Sequence, residues 1–210
     1  KLKKDNECPQ CDLSQINLTE INLNGANLSE ANLSEADLRG KILKTIVLKK
    51  ANLRGANLIG ADLKGADIND INLMEVNLSK TNIKGINFSK QNLTRANLRE
   101  ANLTGSDLTW ANLLGANITN AIFDDVIFCG TTMPDGTIDN SGCLAKLKKD
   151  NECPGCDLRE VDLNKMNLKE AKLYGANLSL ANLSSANLYG ADLSEANLSE
   201  TKMVKTNLKN

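Results

Sequence analysis

Histidine is entirely absent from the 210 residues of the sequence. It is the side chain most often used for proton transfer near neutral pH and the most common metal ligand in proteins. Its absence argues against the acid–base enzymes and metalloenzymes that depend on it. Aromatic residues are also scarce, at 3% of the chain. So few rings argue against an aromatic platform on which nucleic-acid bases stack.

An excess of one charge and long apolar runs are missing as well. The chain has 25 Lys and Arg against 26 Asp and Glu, which gives a formal net charge of −1. Such a balance provides no overall attraction to a polyanion. No stretch is long and apolar enough to cross a membrane. No signal peptide is visible, but Lys1 stands in mid-pattern, so we expect a processed or trimmed start.

A five-residue period fills most of the chain, as in ANLRG-ANLIG-ADLKG-AD at residues 51–67. The central residue of each unit is apolar at 24 successive positions from Leu13 to Phe128, and at 11 more from Leu158 to Leu208. The residue before the centre is Asn or Asp in 29 of these 35 units. Twelve of the 14 glycines, Gly65 among them, fall at multiples of five, the phase two places after a centre. Each unit therefore has the form Ala-Asn/Asp-Leu-polar-Gly/polar.

This period does not suit an α-helix or an ordinary strand. On a helix, five-residue steps would turn successive leucines by about 140° and scatter them over every face. Asn and Asp are poor strand residues, and the period is not two. A short extended piece followed by a corner does fit, because the centre and the residue two before it then point the same way. Repetition winds the backbone into a solenoid with these two positions inside and the other three outside.

Units such as ANLSE at Ala26–Glu30 and ADL at Ala191–Leu193 resemble those of pentapeptide-repeat proteins. The resemblance covers most of the chain and is specific. It implies an all-β fold, a right-handed quadrilateral parallel β-helix with one pentapeptide on each side and four in each coil. Residues 20 apart would then stack on one another.

Two repeat blocks are expected, because LKKDNECP followed by CDL occurs at Leu2 and again at Leu147. We expect a first tower over residues 1–133 with an opening segment over 1–10, a linker over 134–155, and a shorter block over 156–210. The linker should contain a short capping helix from Gly142 to about Lys149, with Asn140 or Ser141 as its N-cap. The stretches TTMPDG and CPGCDL also resemble segments of cyanobacterial members of the family.

Six cysteines fall in three local pairs: Cys8 with Cys11, Cys129 with Cys143, and Cys153 with Cys156. This arrangement favours three disulfides, although six cysteines allow about 15 connectivities. Disulfides imply an oxidising compartment, so periplasm or thylakoid lumen is expected, with cytoplasm as the alternative. The two Cys-x-x-Cys pairs also leave open a four-cysteine zinc site, a redox role or free buried thiols.

The pattern weakens between Arg39 and Arg54, where six basic residues occur without an acidic one. Lys41 takes an inward position, so either the corner bulges or its stem carries the charge outward. The outward Ile42 and Val47 indicate a covered or interacting surface. With four units per coil, three lysines form a vertical stripe. The candidate surface for an anionic partner comprises Arg39, Lys44, Lys49, Lys50, Arg54, Lys64 and Lys84, and a solvated face is the alternative.

The sequence shows no nucleophile–base pair, phosphate-binding glycine loop or metal cluster, so we expect no enzyme activity, cofactor or metal. The resemblance implies a non-enzymatic structural or protein-interaction module that presents rigid flat faces to an unknown protein partner. The alternatives are a DNA-mimicking modulator of DNA gyrase, which needs a strongly negative surface, and a redox-responsive lumenal or periplasmic protein. No nucleic acid is expected as a partner, and self-association through the C-terminal coil is an option.

Overall fold

The structure is a computed structural model, and the residues that it describes are 6–64, 66–68 and 70–208. Two expectations fall partly outside them. The first five residues of the expected opening segment are not among the described residues, and neither is Gly65, one of the predicted corner glycines. No helix in the described part of the chain combines the length and the apolarity that a bilayer crossing requires.

Two compact units make up the chain. The larger unit contains Lys1–Val126 and Thr131–Ile138, and the smaller unit contains Ile127–Gly130 and Asp139–Asn210. The segment 127–130 thus belongs with the second repeat block, although in the sequence it completes the first run of repeats.

Within each unit, isolated parallel β-bridges join residues that lie 20 positions apart. One column in the larger unit runs through Asn57, Asn77, Asn97 and Asn117, and one in the smaller unit runs through Asn167, Asn187 and Asn207. Because each repeat has five residues, four repeats complete one coil. The all-β solenoid that the period predicts is confirmed.

The repeat around Leu98 shows how the backbone of one coil is held by its neighbours. The N–H of Leu98 donates to the carbonyl of Asn117 in the next coil at 2.8 Å. The N–H of Asn97 donates in the other direction, to the carbonyl of Val76 at 2.8 Å. The N–H of Ala101 closes the corner by donating to the carbonyl of Leu98 at 2.9 Å. Extended backbone and corner therefore both have their polar groups satisfied within the solenoid.

The Asn or Asp before each centre has a structural role. The Oδ1 of Asn97 accepts the backbone N–H of Arg99 at 3.1 Å, which is an Asx turn at the start of the corner. The side chains also connect coils, since Asn72 Nδ2 donates to Asn52 Oδ1 at 3.0 Å and Asn52 Nδ2 donates to Asn32 Oδ1 at 3.2 Å. A residue type that is unfavourable in an ordinary strand is therefore favourable here, because the corner needs its acceptor.

The centres and the residues two before them form the core, as the period predicts. Leu53, Leu58 and Leu63 expose only 1%, 1% and 5% of their surface. An exception is Ile16, which occupies an inward position yet is 42% exposed. The N–H of Asp37 in the next coil donates to the carbonyl of Ile16, and within the described residues the neighbouring Asn17 is bridged to that coil only, so Ile16 is covered by a coil on one side.

The corner residue two places after a centre adopts a left-handed backbone conformation. Gly55 has φ of 67°, and non-glycine residues at the same phase do likewise, with φ of 59° at both Glu100 and Trp110. This conformation costs a non-glycine residue about 1 kcal/mol. The hydrogen bond from the N–H of Glu100 to the carbonyl of Thr119, at 2.9 Å, helps to offset that cost.

The repeats are interrupted by three short elements, namely β1 (Thr131–Thr132), β2 (Ile138–Asp139) and α1 (Cys143–Asp150). The strands β1 and β2 pair with each other. The N-cap of α1 is Gly142, which makes no side-chain cap, so the prediction of Asn140 or Ser141 as the N-cap was wrong. The Oδ1 of Asn140 accepts the N–H of Gly130 at 2.9 Å and is thereby committed elsewhere.

Lys41 carries its charge out of the core along its stem. Its side chain is half-buried, and its Nζ donates to the carbonyl of Ile21 at 2.8 Å. In this part of the described chain, bridges join 17 to 37 and 27 to 47, but none joins Asn22 to Ile42. The ammonium thus supplies a hydrogen bond at a point where the backbone ladder is interrupted.

We expect Leu63→Asp to disrupt the larger unit, because it places a charge in an apolar core where a leucine contributes about 1.5–3 kcal/mol by burial alone. Lys64→Asp at the adjacent exposed position is the matched control and should leave folding nearly unchanged. Circular dichroism and thermal unfolding of the two variants provide the measurement. Equal damage from both substitutions would contradict the inward assignment of the centres.

Candidate functional site

Lys44, Lys64 and Lys84 lie on one side of the larger unit and are called the lysine stripe below. Bridges from Ile42 to Asp62 and from Asp62 to Asn82 place the three lysines on successive coils. All three side chains are exposed. The columnar arrangement follows from the four-unit coil, because every twentieth residue returns to the same side.

The other four candidate residues do not extend this stripe. Lys44 shares its five-residue repeat with none of Arg39, Lys49 and Arg54. Each of these three residues therefore lies on a different side of the larger unit, and Lys50 is at the corner beside Lys49. All four side chains are exposed. A cluster of charge that is compact in the sequence is therefore distributed around the coil.

At least three of the seven basic residues form ion pairs: Lys44 with Asp62 at 2.9 Å, Arg39 with Asp37 at 2.7 Å and Arg54 with Glu75 at 3.3 Å. The hydrogen bond from Lys44 holds the pKa of Asp62 below its ordinary value, and Arg39 does the same to the pKa of Asp37. Such exposed pairs contribute little stability. They do neutralise part of the positive charge that a partner would meet.

An open cavity of about 510 Å³ lies at the interruption next to the stripe. Its lining includes Ile21–Asn24 and Gly40–Ile42. Ile42 is 65% exposed there, and Val47, at 44%, belongs to the following unit. The cavity coincides with the missing bridge between Asn22 and Ile42, so it is a separation of two coils rather than an enclosed site.

A second open groove of about 510 Å³ was missed by the sequence reasoning. Met74, Leu114 and Pro134 line it together with Arg95. Leu114 follows Met74 by two coils and Pro134 follows Leu114 by one, so the apolar members stack in one column of the larger unit. Comparing outward residues from coil to coil, rather than along the chain, would have found this surface.

The cysteines are bonded as three local pairs. Sulfur–sulfur bonds join Cys8 to Cys11, Cys129 to Cys143 and Cys153 to Cys156. The last two pairs belong to the smaller unit, where all four side chains are buried to 1% exposure or less. Cys8 is buried, whereas Cys11 is only half-buried.

Two of these disulfides lie against each other. The Sγ of Cys129 lies 3.1 Å from the Sγ of Cys156 and 3.9 Å from that of Cys153. The sequence left open a four-cysteine zinc site made from the two Cys-x-x-Cys pairs. The structure brings a different set together, with Cys129 and Cys143 in place of Cys8 and Cys11.

Gly142 allows the close approach that forms this cluster. A Cβ built on Gly142 would lie 2.6 Å from the backbone nitrogen of Phe128 and 2.8 Å from its carbonyl oxygen. The N–H of Gly142 donates to that same carbonyl at 2.6 Å. Because Gly142 has no side chain, its backbone can contact Phe128. This contact places Cys143, the first residue of α1, beside Cys129.

Several carboxyl pKa values are shifted by hydrogen bonds within the repeat itself. The pKa of Asp12 and that of Asp192 are lowered chiefly by hydrogen bonds from Ser14 and Ser194, two residues further along the chain. A carboxyl that donates or accepts a proton in catalysis is usually buried and has a raised pKa. Shifts of the observed kind stabilise corners.

A sequence profile of the family described as pentapeptide repeats matches residues 10–41, 46–73, 71–109, 153–184 and 176–210. No curated protein matches the chain. Among solved structures, the chain is 24% identical to HetL, a pentapeptide repeat protein involved in heterocyst differentiation regulation in the cyanobacterium Nostoc sp. strain PCC 7120. That match covers 97% of this chain and 85% of HetL, with a TM-score of 0.24.

Two further structures are similar to the chain. The plasmid-mediated fluoroquinolone resistance protein QnrB1, as a trypsin-treated variant, is 15% identical over 94% of this chain and 89% of its own, with a TM-score of 0.35. The pentapeptide repeat protein Rfr23 from the cyanobacterium Cyanothece 51142 is 27% identical over 60% of this chain and 88% of its own, with a TM-score of 0.28. With TM-scores this low, the superpositions carry no functional inference.

We expect Gly142→Ala to destabilise the smaller unit by about 1–3 kcal/mol, the usual cost of forcing an extra methyl group into packed structure. Gly175→Ala is the control, since its nearest atom lies 4.0 Å away and only the left-handed backbone, with φ of 63°, opposes the substitution. Urea unfolding of the oxidised proteins measures both. If Gly142→Ala proved the milder change, the close contact with Phe128 would be in error.

The stability of the smaller unit should depend on the ionisation of Asp157. Hydrogen bonds from Arg159 hold the pKa of Asp157 below its ordinary value of 3.8. A depressed pKa in the folded state adds stability that is complete above about pH 3.8 and disappears as the pH falls through the folded value.

Asp157→Asn removes this titration but keeps an oxygen acceptor for the corner. The free energy of unfolding of the native protein should therefore fall more steeply below pH 3.8 than that of the variant, by up to about 1 kcal/mol for an exposed pair. Urea titrations between pH 3 and pH 7 measure the difference. Identical pH profiles would show that the ion pair contributes nothing.

Proposed function

Because the chain belongs to the pentapeptide repeat family, we propose that it is a non-enzymatic structural or protein-interaction module. Its larger unit would present columns of side chains on rigid faces to a protein partner. The observation that carries this proposal is the regular register of the β-bridges, which join each coil to the next. A backbone ladder that repeats once in every coil holds outward side chains at fixed spacing, and such preorganisation lowers the entropic cost of binding.

The same proposal includes the handedness of the coil, the role of α1 and the division of the chain. We take the coil to be right-handed and quadrilateral, α1 to be a capping helix between the two repeat blocks, and the domain divisions to be 1–133, 134–155 and 156–210. The burial of Cys143 and Leu147 in the core of the smaller unit supports the covering role of α1. Exposed Val204 and Leu208, at 57% and 51%, support self-association through the last described coil.

The lysine stripe is the surface we assign to the partner, and the partner is a protein with an acidic face. The stripe repeats positive charge at the spacing of adjacent coils, about 4.8 Å. Ile42 adds exposed apolar surface on the same side. Complementary charge of this kind contributes mainly to specificity and to the rate of association.

Three disulfides support an oxidising compartment, with periplasm or thylakoid lumen as the proposed location. The gyrase alternative has less support, because mimicry of DNA requires a strongly negative surface and the net charge is −1. Clear inhibition in a gyrase supercoiling assay would favour that alternative over the present proposal.

The test compares capture of partners from an extract of the source cells prepared without reductant. The variant Lys64→Glu/Lys84→Glu reverses two charges of the stripe, and Lys49→Glu/Lys50→Glu reverses two charges on another side. We expect the first to lose the captured protein and the second to retain it, and direct binding of the purified partner should follow the same order. Equal retention by both would refute the assignment of the stripe.

A further inference from the structure

We propose that Cys129, Cys143, Cys153 and Cys156, here called the four-sulfur cluster, bind one zinc ion when both of their disulfides are reduced. The four Sγ atoms all lie within 4.8 Å of one another. Each side chain is buried to 1% exposure or less in the core of the smaller unit. The inference concerns a site in the smaller unit and does not depend on the partner proposed for the larger one.

The geometry of the cluster suits a tetrahedral ion. Zinc–sulfur bonds of about 2.3 Å place the four sulfurs of a structural site about 3.8 Å apart. The Sγ of Cys129 is already 3.9 Å from that of Cys153 and 3.1 Å from that of Cys156. Reduction breaks the two sulfur–sulfur bonds. Each Sγ then needs to move by about an ångström or two, which is on the order of one rotamer adjustment, to complete the tetrahedron.

The surrounding backbone is organised to hold these sulfurs. Gly142 allows α1 to contact Phe128, which brings Cys143 to Cys129. In the turn Cys153-Pro154-Gly155-Cys156, Gly155 has φ of 68° and the N–H of Cys156 donates to the carbonyl of Cys153 at 3.3 Å. This tight turn directs both of its sulfurs to the same place.

Charge explains why the reduced cluster would select a metal. Four buried thiolates repel one another and lack solvation, whereas a divalent cation cancels half of their charge and bonds to all four. Cys143 is the first residue of α1, and the helix N-terminus stabilises a thiolate there. Soft thiolate ligands in a tetrahedral set favour zinc over the hard cations magnesium and calcium.

Conversion of the two disulfides into a zinc site consumes a dithiol reductant and releases protons. Two dithiol molecules each transfer two electrons and two protons, so that two protein disulfides become four thiols and two dithiols become two external disulfides. Zinc then binds the four sulfurs and releases four protons. Because the cluster is buried, reduction must proceed through opening or unfolding of the smaller unit.

Cys8 and Cys11 provide an internal comparison. They form the same Cys-x-x-Cys turn with Gln10 at the left-handed position, φ of 58°. Within the described residues, no further cysteine joins them in a group that could hold a metal. This pair therefore offers two sulfur ligands where a structural zinc site uses four, and it serves as the negative control for the four-sulfur cluster.

The experiment reduces the 210-residue chain with a dithiol in denaturant and refolds it anaerobically with Co²⁺ or Zn²⁺. We expect one equivalent to bind, and Co²⁺ to show the absorption bands of a tetrahedral thiolate complex. The oxidised protein should bind none. Mass spectrometry under native conditions provides the stoichiometry, and circular dichroism verifies refolding.

Matched variants assign the site. Cys8→Ser/Cys11→Ser should bind metal like the native chain, whereas Cys129→Ser should weaken zinc binding by more than about 100-fold, the upper range for losing an outer partner alone. Should Cys129→Ser fail to refold, Cys143→Ser is tested in the same way. The proposal is overturned if the refolded reduced chain binds no metal, or if the loss of Cys8 and Cys11 abolishes binding.

Discussion

The backbone hydrogen bonds that join each coil to its neighbours are the constraint on which the rest of the structure depends. Leu98 is buried, Asn97 is in the bridged column before the corner and Arg99 is exposed because the N–H groups of Leu98 and Asn97 reach carbonyls in the two neighbouring coils. A coil that was one residue longer would rotate every side chain out of register. The Asx turn from Asn97 and the left-handed corner at Glu100 both serve to keep successive coils equal in length.

This constraint also determines what kind of functional surface the protein has. The interior of the solenoid is filled mainly by leucine and alanine, and resolved pKa shifts such as those of Asp12 and Asp192 follow from corner hydrogen bonds. The outward side chains of successive coils form columns, such as the lysine stripe and the groove lined by Met74, Leu114 and Pro134. Under the proposed function, binding would depend on the order of side chains along a column, to which each coil contributes one member.

The junction before the second block departs from this regularity. Here the chain leaves the repeat after Cys129 and returns through α1, and the contact of Gly142 with Phe128 replaces the ladder. The four-sulfur cluster lies at this point, where two disulfides crosslink the returning chain.

The sequence by itself determined the solenoid, its five-residue phase and the residues of its core, since a local pattern such as Ala51 to Leu63 repeats one set of interactions. It also indicated which cysteines were close neighbours in the chain. Only the tertiary structure decided that Lys41 donates to Ile21, that Gly142 is the N-cap of α1, and that Cys129 meets Cys156. These outcomes depend on coil closure and on a non-repeating return path, and no local pattern encodes the distances that such a path creates.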